Sequence, residues 1–377
     1  LTVDKIASSM QFVFAVSANY FLEIAKLRAA RILWAKIVEQ YNPSEGCSMK
    51  MLIHATSSIW NKTVYDPYVN MLRNTTEAMS AAIGGADSIT VLPIDSVYKQ
   101  SDEFTIRNAR NTQLLLKEES YLNKIVDPAA GSYYIETLTD GISEKAWEHF
   151  KYIESKGGFI KLFESGMIKE EIENACQQRD IDIAKRNVKI LGTNQYPNIK
   201  DQMLEKITKE ISGKRNQNGL RFYRGSESFE MLRLSTEKYH RKTGNKPKVF
   251  LLPMGNLAMR KARATFAINF FGCAGYEIID NNQFKNAKEG VKAVLNSAAD
   301  IVVICSSDEE YPSIVPSICD GIKKANEKVK VIVAGYPKES IEILTNAGVD
   351  DFIHLKTNVL GFLMNYQDQL GVIKKVI

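Results

Sequence analysis

Histidine and cysteine side chains are the first candidates for metal binding or covalent chemistry in this sequence. The four histidines and five cysteines are His54, His149, His240, His354, Cys47, Cys176, Cys273, Cys305 and Cys319. No two of them have the short spacings of zinc sites or redox-active cysteine pairs. We therefore predict no metal site and no disulfide framework, and we expect the cysteines to be reduced, small apolar residues of the core.

The other places where chemistry is expected are loops that follow strands of an α/β sheet. In residues 246–377, short strands are predicted at 249–253, 276–280, 300–305, 330–335 and 351–354. Helices are predicted between them at 256–273, 286–296, 312–326 and 339–346, with a last helix from residue 358. This alternation predicts a flavodoxin-like, doubly wound parallel sheet, which binds ligands at the carboxyl ends of its strands. The relevant loops are 254–261, 306–311 and 335–338.

The first 120 residues show a similar alternation of strands and helices. Strands are predicted at 11–16, 49–55 and 88–92. Helices are predicted at 20–41, from Asp66 to Gly84 and Gly85 with Asp66 as the N-cap and Pro67 in the first turn, and at 103–118. Three such units cannot close a barrel, so the pattern favours the C-terminal part of a TIM-type (β/α)8 barrel. The chain begins within an apolar pattern and without Met, from which we expect a longer protein.

Residues 121–245 are predicted to be a mostly helical linker region. A Gly-, Asn- and basic-rich stretch at 214–225 is expected to be an extended connector. The predicted organisation is therefore 1–120, 121–245 and 246–377. No apolar run reaches the length of a membrane span, and the net charge of +5 gives no indication of nucleic-acid binding. With no signal peptide visible, a cytoplasmic location is expected.

Five segments, at 23–34, 107–113, 127–134, 157–166 and 224–229, resemble the methylmalonyl-CoA mutase family in the same order. The resemblance implies that residues 246–377 derive from a cobalamin-binding domain. That domain carries Asp-x-His-x-x-Gly in its first loop, where the His is the lower cobalt ligand and the Asp orients it. The corresponding residues here are Asn256, Ala258 and Lys261, and none of them can play those roles.

The next two loops depart from the family pattern as well. Ser306, Ser307 and Asp308 stand where Ser-x-Leu is usual, and Ala334 and Gly335 replace paired glycines. The resemblance therefore implies that this chain binds no cofactor and no metal at these degenerate positions.

The barrel fragment also departs from the catalytic members of the family. Thr56 replaces the Gln that faces the cofactor, Ile59 replaces a Gly, and residues 92–96 lack the terminal Glu of the eighth-strand loop. His54 keeps its family position, and we interpret it as a structural histidine. We accordingly predict no catalytic residue in this chain.

Two further sets of basic or metal-ligating side chains have a simple structural interpretation. Lys26, Arg28 and Arg31 on one helix are expected to form salt bridges in preference to a phosphate site. His354 is expected to be a hydrogen-bonded residue at a strand end, and not a substitute cobalt ligand.

The resemblance leaves two functional hypotheses open. In the first, the chain is similar to the small, non-catalytic subunit of heterodimeric members. Its partner would be a large catalytic subunit that binds adenosylcobalamin and interconverts methylmalonyl-CoA and succinyl-CoA. In the second, the chain is an active acyl-CoA mutase that holds cobalamin without the usual lower His.

Overall fold

Helices alternate with parallel strands along the chain, as the sequence predicts. A computed structural model describes residues 2–212 and 222–373. It divides into two units, Leu1–Gln178 with Lys206–Gly225, and Arg179–Glu205 with Ser226–Ile377. The predicted middle region, 121–245, is thus shared between the two units.

Unit 1 contains a three-stranded parallel sheet in the order β1-β2-β3. Its elements are α1 (Val3–Ala7), β1 (Phe12–Val16), α2 (Tyr20–Glu39), β2 (Ile53–Ser57), α3 (Val69–Ile83), β3 (Ser88–Thr90), α4 (Glu103–Glu118), α5 (Tyr133–Ser155) and α6 (Phe159–Glu164). A further helix, α7 (Met167–Ala184), begins in unit 1 and ends in unit 2. The sheet is covered by α2, where buried Leu27 packs with Met51 and Ile53.

Unit 2 contains a five-stranded parallel sheet in the order β5-β4-β6-β7-β8. Its elements are α8 (Glu227–Thr243), β4 (Lys248–Pro253), α9 (Leu257–Gly272), β5 (Glu277–Ile279), α10 (Ala287–Ser297), β6 (Ile301–Cys305), α11 (Tyr311–Ala325), β7 (Lys330–Ala334), α12 (Ile341–Asn346), β8 (Asp351–Ile353) and α13 (Val359–Gln369). All five residues of β6 are buried, as a central strand covered on both faces requires. The strand order reverses between β4 and β6, which is where a sheet of this kind offers a crevice.

Two predicted element boundaries in unit 1 are wrong. The helix after Asp66 and Pro67 begins at Val69, and Asp66 has a φ of +51°, so it is not the N-cap of that helix. The reason is a buried turn in which the Asn70 side chain bonds both the N–H and the C=O of Thr63. The second strand begins at Ile53 and not at residue 49, because its pairing with β1 starts there.

Irregular chain occupies more of the middle region than the sequence predicts. After Ala184, no helix begins in the described residues until Glu227. Part of this segment is fixed by α8, whose buried Glu237 accepts hydrogen bonds from the N–H groups of Met203 and Leu204. Most of the predicted connector at 214–225 lies outside the described residues, and residues 222–225 have no regular structure.

Candidate functional site

Three loops meet at the carboxyl edge of the five-stranded sheet. They follow β4, β6 and β7, which are neighbours in the sheet. Every degenerate position identified in the sequence lies on one of these loops or at the helix start behind it. This edge is therefore the candidate site of unit 2.

Asn256 begins the helix that follows the first loop. Its Oδ1 accepts hydrogen bonds from the N–H groups of Ala258 (3.0 Å) and Met259 (3.2 Å), which satisfies two free donors of the first turn of α9. Ala258 and Lys261 are both exposed on this helix. Within residues 2–212 and 222–373, Lys261 has no ion pair or hydrogen bond from its ammonium group. The first loop is thus built for helix capping.

The side chain at the centre of the edge is Glu310, which the sequence did not single out. Its carboxylate accepts hydrogen bonds from Ser306 Oγ (2.6 Å), Ser307 Oγ (2.9 Å) and the N–H of Asn256 (3.1 Å). Glu310 precedes α11 directly, while Asn256 precedes α9, so one carboxylate joins the loops after β6 and β4. The only indication in the sequence was an acidic residue between a strand end and a helix.

The Glu310 carboxylate fills the space next to the backbone of Gly255. Gly255 has a φ of +72°, and a Cβ added there would collide with the Glu310 carboxylate. Only glycine meets both the left-handed backbone and the close approach. The first loop therefore depends on a small residue here to admit a side chain of the same protein.

A second charged contact closes the edge beside β7. Arg263 Nη2 lies 3.0 Å from Asp308 Oδ1, so α9 is linked to the loop after β6. A Cβ on Gly335 would lie 2.7 Å from the same Asp308 oxygen. Underneath, the buried Tyr311 hydroxyl donates to the C=O of Ala334 (2.7 Å) and accepts from the N–H of Ser306 (3.1 Å). Asp308 thus covers the position of Gly335.

Two ionisable side chains at this edge, Glu310 and Tyr311, have shifted pKa values. The hydrogen bonds from Ser306 and from the N–H of Asn256 lower the pKa of Glu310 to about 2, so it is ionised at neutral pH. Burial raises the pKa of the Tyr311 phenol, which stays protonated. Asp308 and the exposed Glu309 precede Glu310, so the loop carries three consecutive acidic residues.

His354 has the local role expected of it. Its Nδ1 accepts a hydrogen bond from the N–H of Lys356 (3.3 Å), and its ring packs against Tyr336 with centroids 4.6 Å apart. Burial lowers the pKa of the His354 imidazole. The described residues contain no group of three His, Cys, Asp or Glu side chains that could hold a metal ion.

In the three-stranded sheet, local contacts surround His54 near the start of β2. His54 lies on β2, and both of its ring nitrogens face hydroxyl groups of β3, Ser88 Oγ at 2.7 Å and Thr90 Oγ1 at 3.2 Å. Thr56 pairs with Thr90 in the sheet, and Ile59 is 42% exposed. The interpretation of His54 as a structural histidine fits this geometry.

The basic residues of α2 form salt bridges, as predicted. Lys26 pairs with Glu23, which is one turn away, and its Nζ donates to the C=O of Ala15 (2.7 Å). Arg28 pairs with Asp127 at 3.2 Å and with Glu136 at 2.9 Å, and Arg31 pairs with Asp87 at 3.0 Å. Because every one of these cations has a partner, the face does not form a phosphate site.

The cysteines are only partly the core residues that the sequence suggests. Cys273, Cys305 and Cys319 are buried, and burial raises the pKa of the Cys319 thiol to about 11. Cys176 is half-buried, but Cys47 is exposed, so the prediction is wrong for Cys47. The short turn Gly46–Met49 places this thiol at the surface, near the Glu45 carboxylate. Within the described residues all five thiols are free.

Comparison with known proteins identifies the family. Residues 1–245 match the family described as methylmalonyl-CoA mutase. The chain is 47% identical over 375 residues to the methylmalonyl-CoA mutase small subunit of Porphyromonas gingivalis, an alignment that covers 98% of this chain and 59% of that protein. The chain belongs to the methylmalonyl-CoA mutase family.

Other relatives extend the comparison to both kinds of subunit. The small subunit of Streptomyces virginiae is 35% identical over 373 residues, which cover 99% of this chain and 58% of that protein. The methylmalonyl-CoA mutase large subunit of P. gingivalis is 26% identical in an alignment of 423 positions, gaps included, that covers 93% of this chain and 59% of that protein. The chain thus spans less than two thirds of the length of these relatives. None of its described helices is long and apolar enough to cross a membrane.

Proposed function

We propose that this chain supports a methylmalonyl-CoA mutase as its small, non-catalytic subunit. In this proposal a large subunit binds adenosylcobalamin and interconverts methylmalonyl-CoA and succinyl-CoA. The cofactor supplies the radical chemistry, and the large subunit binds and orients the substrate. The small subunit packs against its partner and stabilises it.

The observation that carries this proposal is the occupation of the cofactor edge by the chain itself. A cobalamin there would need room beside Gly255 and Gly335 and a ligand at position 258. Instead, the Glu310 carboxylate and the pair Arg263–Asp308 occupy the loops, and Ala258 has no donor atom. The residues present do not fit cobalamin, so we assign no step of the reaction to this chain.

The fold proposed for the whole chain follows from the same ancestry. We infer that unit 1 corresponds to the last strands and helices of a (β/α)8 barrel, and that unit 2 derives from a flavodoxin-like cobalamin-binding domain. Strand order β5-β4-β6-β7-β8 supports the second inference. Similarity of this chain to both a small and a large subunit supports a pair of subunits with a common origin, for which we propose a cytoplasmic location.

A cobalamin-retention experiment tests the proposal. The purified chain is mixed with hydroxocobalamin or adenosylcobalamin and desalted, and its visible spectrum is recorded. We expect no retained chromophore from the chain alone. Stoichiometric retention would contradict the proposal and favour an active mutase that binds cobalamin without a lower His.

A second experiment tests the supporting role. The chain is co-expressed with a large subunit, and mutase activity is measured for each subunit and for the mixture. We expect the two chains to co-purify, with all of the cobalamin on the large one. Activity of this chain in isolation, or failure of the chains to associate, would contradict the proposal.

A further inference from the structure

We propose that Glu310 acts as an internal ligand, which holds the carboxyl edge of the five-stranded sheet closed and keeps anionic groups out of it. This property belongs to unit 2 and does not depend on the role proposed above. The argument rests on three observations: the donors around the carboxylate, the space it fills, and the charge it carries.

The donors are those that an oxyanion would use. The Glu310 carboxylate accepts hydrogen bonds from the hydroxyl groups of Ser306 and Ser307 and from the backbone N–H of Asn256. The shortest distance from each donor lies between 2.6 and 3.1 Å. Ser306 is fully buried, so its hydroxyl cannot turn to solvent. Charge-assisted hydrogen bonds of this length are about twice as strong as neutral ones.

The space at this edge, beside Gly255 and Gly335, is filled by carboxylates of the chain itself. The carboxylate lies where a Cβ on Gly255 would be, and Asp308 lies above Gly335 in the same way. Glu310 comes from the loop after β6, but it contacts the loop after β4. A ligand at this edge would therefore have to displace Glu310 before it could use the donors of Ser306, Ser307 and Asn256.

The charge makes the closure independent of ordinary pH. With its pKa at about 2, Glu310 is ionised throughout the physiological range. The groups in contact with the carboxylate are the two serine hydroxyls and the N–H of Asn256. Asp308 and Glu309 precede it on the same loop, and Arg260, Lys261 and Arg263 lie on α9. Asp308 is paired with Arg263 at 3.0 Å, and Arg260 donates to the C=O of Gly255. An incoming phosphate therefore meets donors that are already occupied by a negative charge.

Hydrogen exchange measured by mass spectrometry on the full chain tests this proposal. The variants are Glu310→Ala, Glu310→Gln and, as the matched control, the exposed neighbour Glu309→Ala. Because these hydrogen bonds are charge-assisted but partly screened by solvent, we expect peptides around Asn256 and Ser307 to exchange about 10 times faster in Glu310→Ala. Glu310→Gln keeps the size but loses the charge, so its effect should be smaller, and Glu309→Ala should match the wild type.

Inorganic phosphate supplies the second measurement. At equal ionic strength, replacing chloride by phosphate should slow exchange around Asn256 and Ser307 in Glu310→Ala, and should have no effect on the wild type. Exchange in β4 and β6 shows that each variant is folded. The proposal would be overturned by unchanged exchange in Glu310→Ala, or by an equal response of both proteins to phosphate.

Discussion

The buried ion pair of Lys62 and Glu77 gives the sharpest stability prediction. Lys62 Nζ lies 2.7 Å from both carboxylate oxygens of Glu77, and the two side chains are 1% and 0% exposed. Asn61 Nδ2 donates to the same carboxylate at 2.8 Å. The change Lys62→Met keeps most of the side-chain volume but leaves Glu77 buried without its main counter-charge.

We expect Lys62→Met to lower the free energy of unfolding of unit 1 by about 3–5 kcal/mol. Removing one partner of a buried pair costs this much because the remaining charge stays desolvated. The two hydrogen bonds lost by Glu77, at about 1.5–3 kcal/mol each for charged groups, give a similar total. The matched control is Lys145→Met, where Lys145 is 79% exposed and pairs with Glu148 at 3.0 Å. We expect no measurable loss of stability in this control, because solvent screens such exposed pairs.

Urea unfolding followed by tryptophan fluorescence measures this change. The three tryptophans, Trp34, Trp60 and Trp147, all belong to unit 1, so the fluorescence reports on that unit. A loss below about 1 kcal/mol in Lys62→Met would refute the reasoning, because it would mean that Glu77 does not need its counter-charge.

The pH dependence of the same variant has a defined sign. Burial raises the pKa of Glu77, and the Lys62 charge opposes that shift. Without Lys62, the pKa rises further, so the folded state binds a proton that the unfolded state has already lost. Between the unfolded and folded pKa values, stability then increases as the pH falls, by up to about 1.4 kcal/mol per pH unit. The deficit of Lys62→Met should therefore narrow on acidification, and a deficit that widens would contradict this account.

Three other predictions concern single side chains. Glu237→Ala removes the acceptor of the N–H groups of Met203 and Leu204, and should destabilise unit 2 by about 1–3 kcal/mol, measured by hydrogen exchange in β4. Asp350→Asn replaces by a neutral amide the carboxylate that accepts a hydrogen bond from the N–H of Val331 (2.8 Å) and pairs with Lys323 (2.7 Å). We expect the free energy of unfolding of unit 2 to fall by about 1 kcal/mol in the same assay. Cys47 should react with iodoacetamide before the three buried thiols, and increasingly at alkaline pH because the nearby Glu45 carboxylate raises the pKa of Cys47; equal labelling of all thiols in the folded protein would contradict this.

The sequence predicts the elements of this fold better than their contacts. Apolar runs identify every strand of the five-stranded sheet, and the bounds of α4, Glu103–Glu118, are as predicted. These features depend on neighbouring residues and on periodicity. The prediction of Asp66 as a helix cap is wrong, because neither its positive φ nor the hydrogen bonds between Asn70 and Thr63 can be read from the pattern of capping residues.

Glu310 lies at the same sheet edge as the loop positions named from the sequence, but the sequence did not indicate it. The degenerate positions Asn256, Ala258 and Lys261 indicate which loop to examine. Glu310 could not be found in the same way, because its role depends on which loops the sheet brings together. Similarly, Glu237 is buried against N–H groups 33 and 34 residues away in the chain. Such contacts need the tertiary structure.

The cap that Asn256 forms on α9 bears on how the first loop would respond to substitution. An aspartate at that position would also cap the helix, and position 258 is exposed, so we expect the first loop to accept Asn256→Asp and Ala258→His. Glu310 adds a constraint from another loop. Any effect of Ala258→His on ligand binding is therefore expected to be epistatic on position 310, because the Glu310 carboxylate occupies the two serines and the N–H of Asn256.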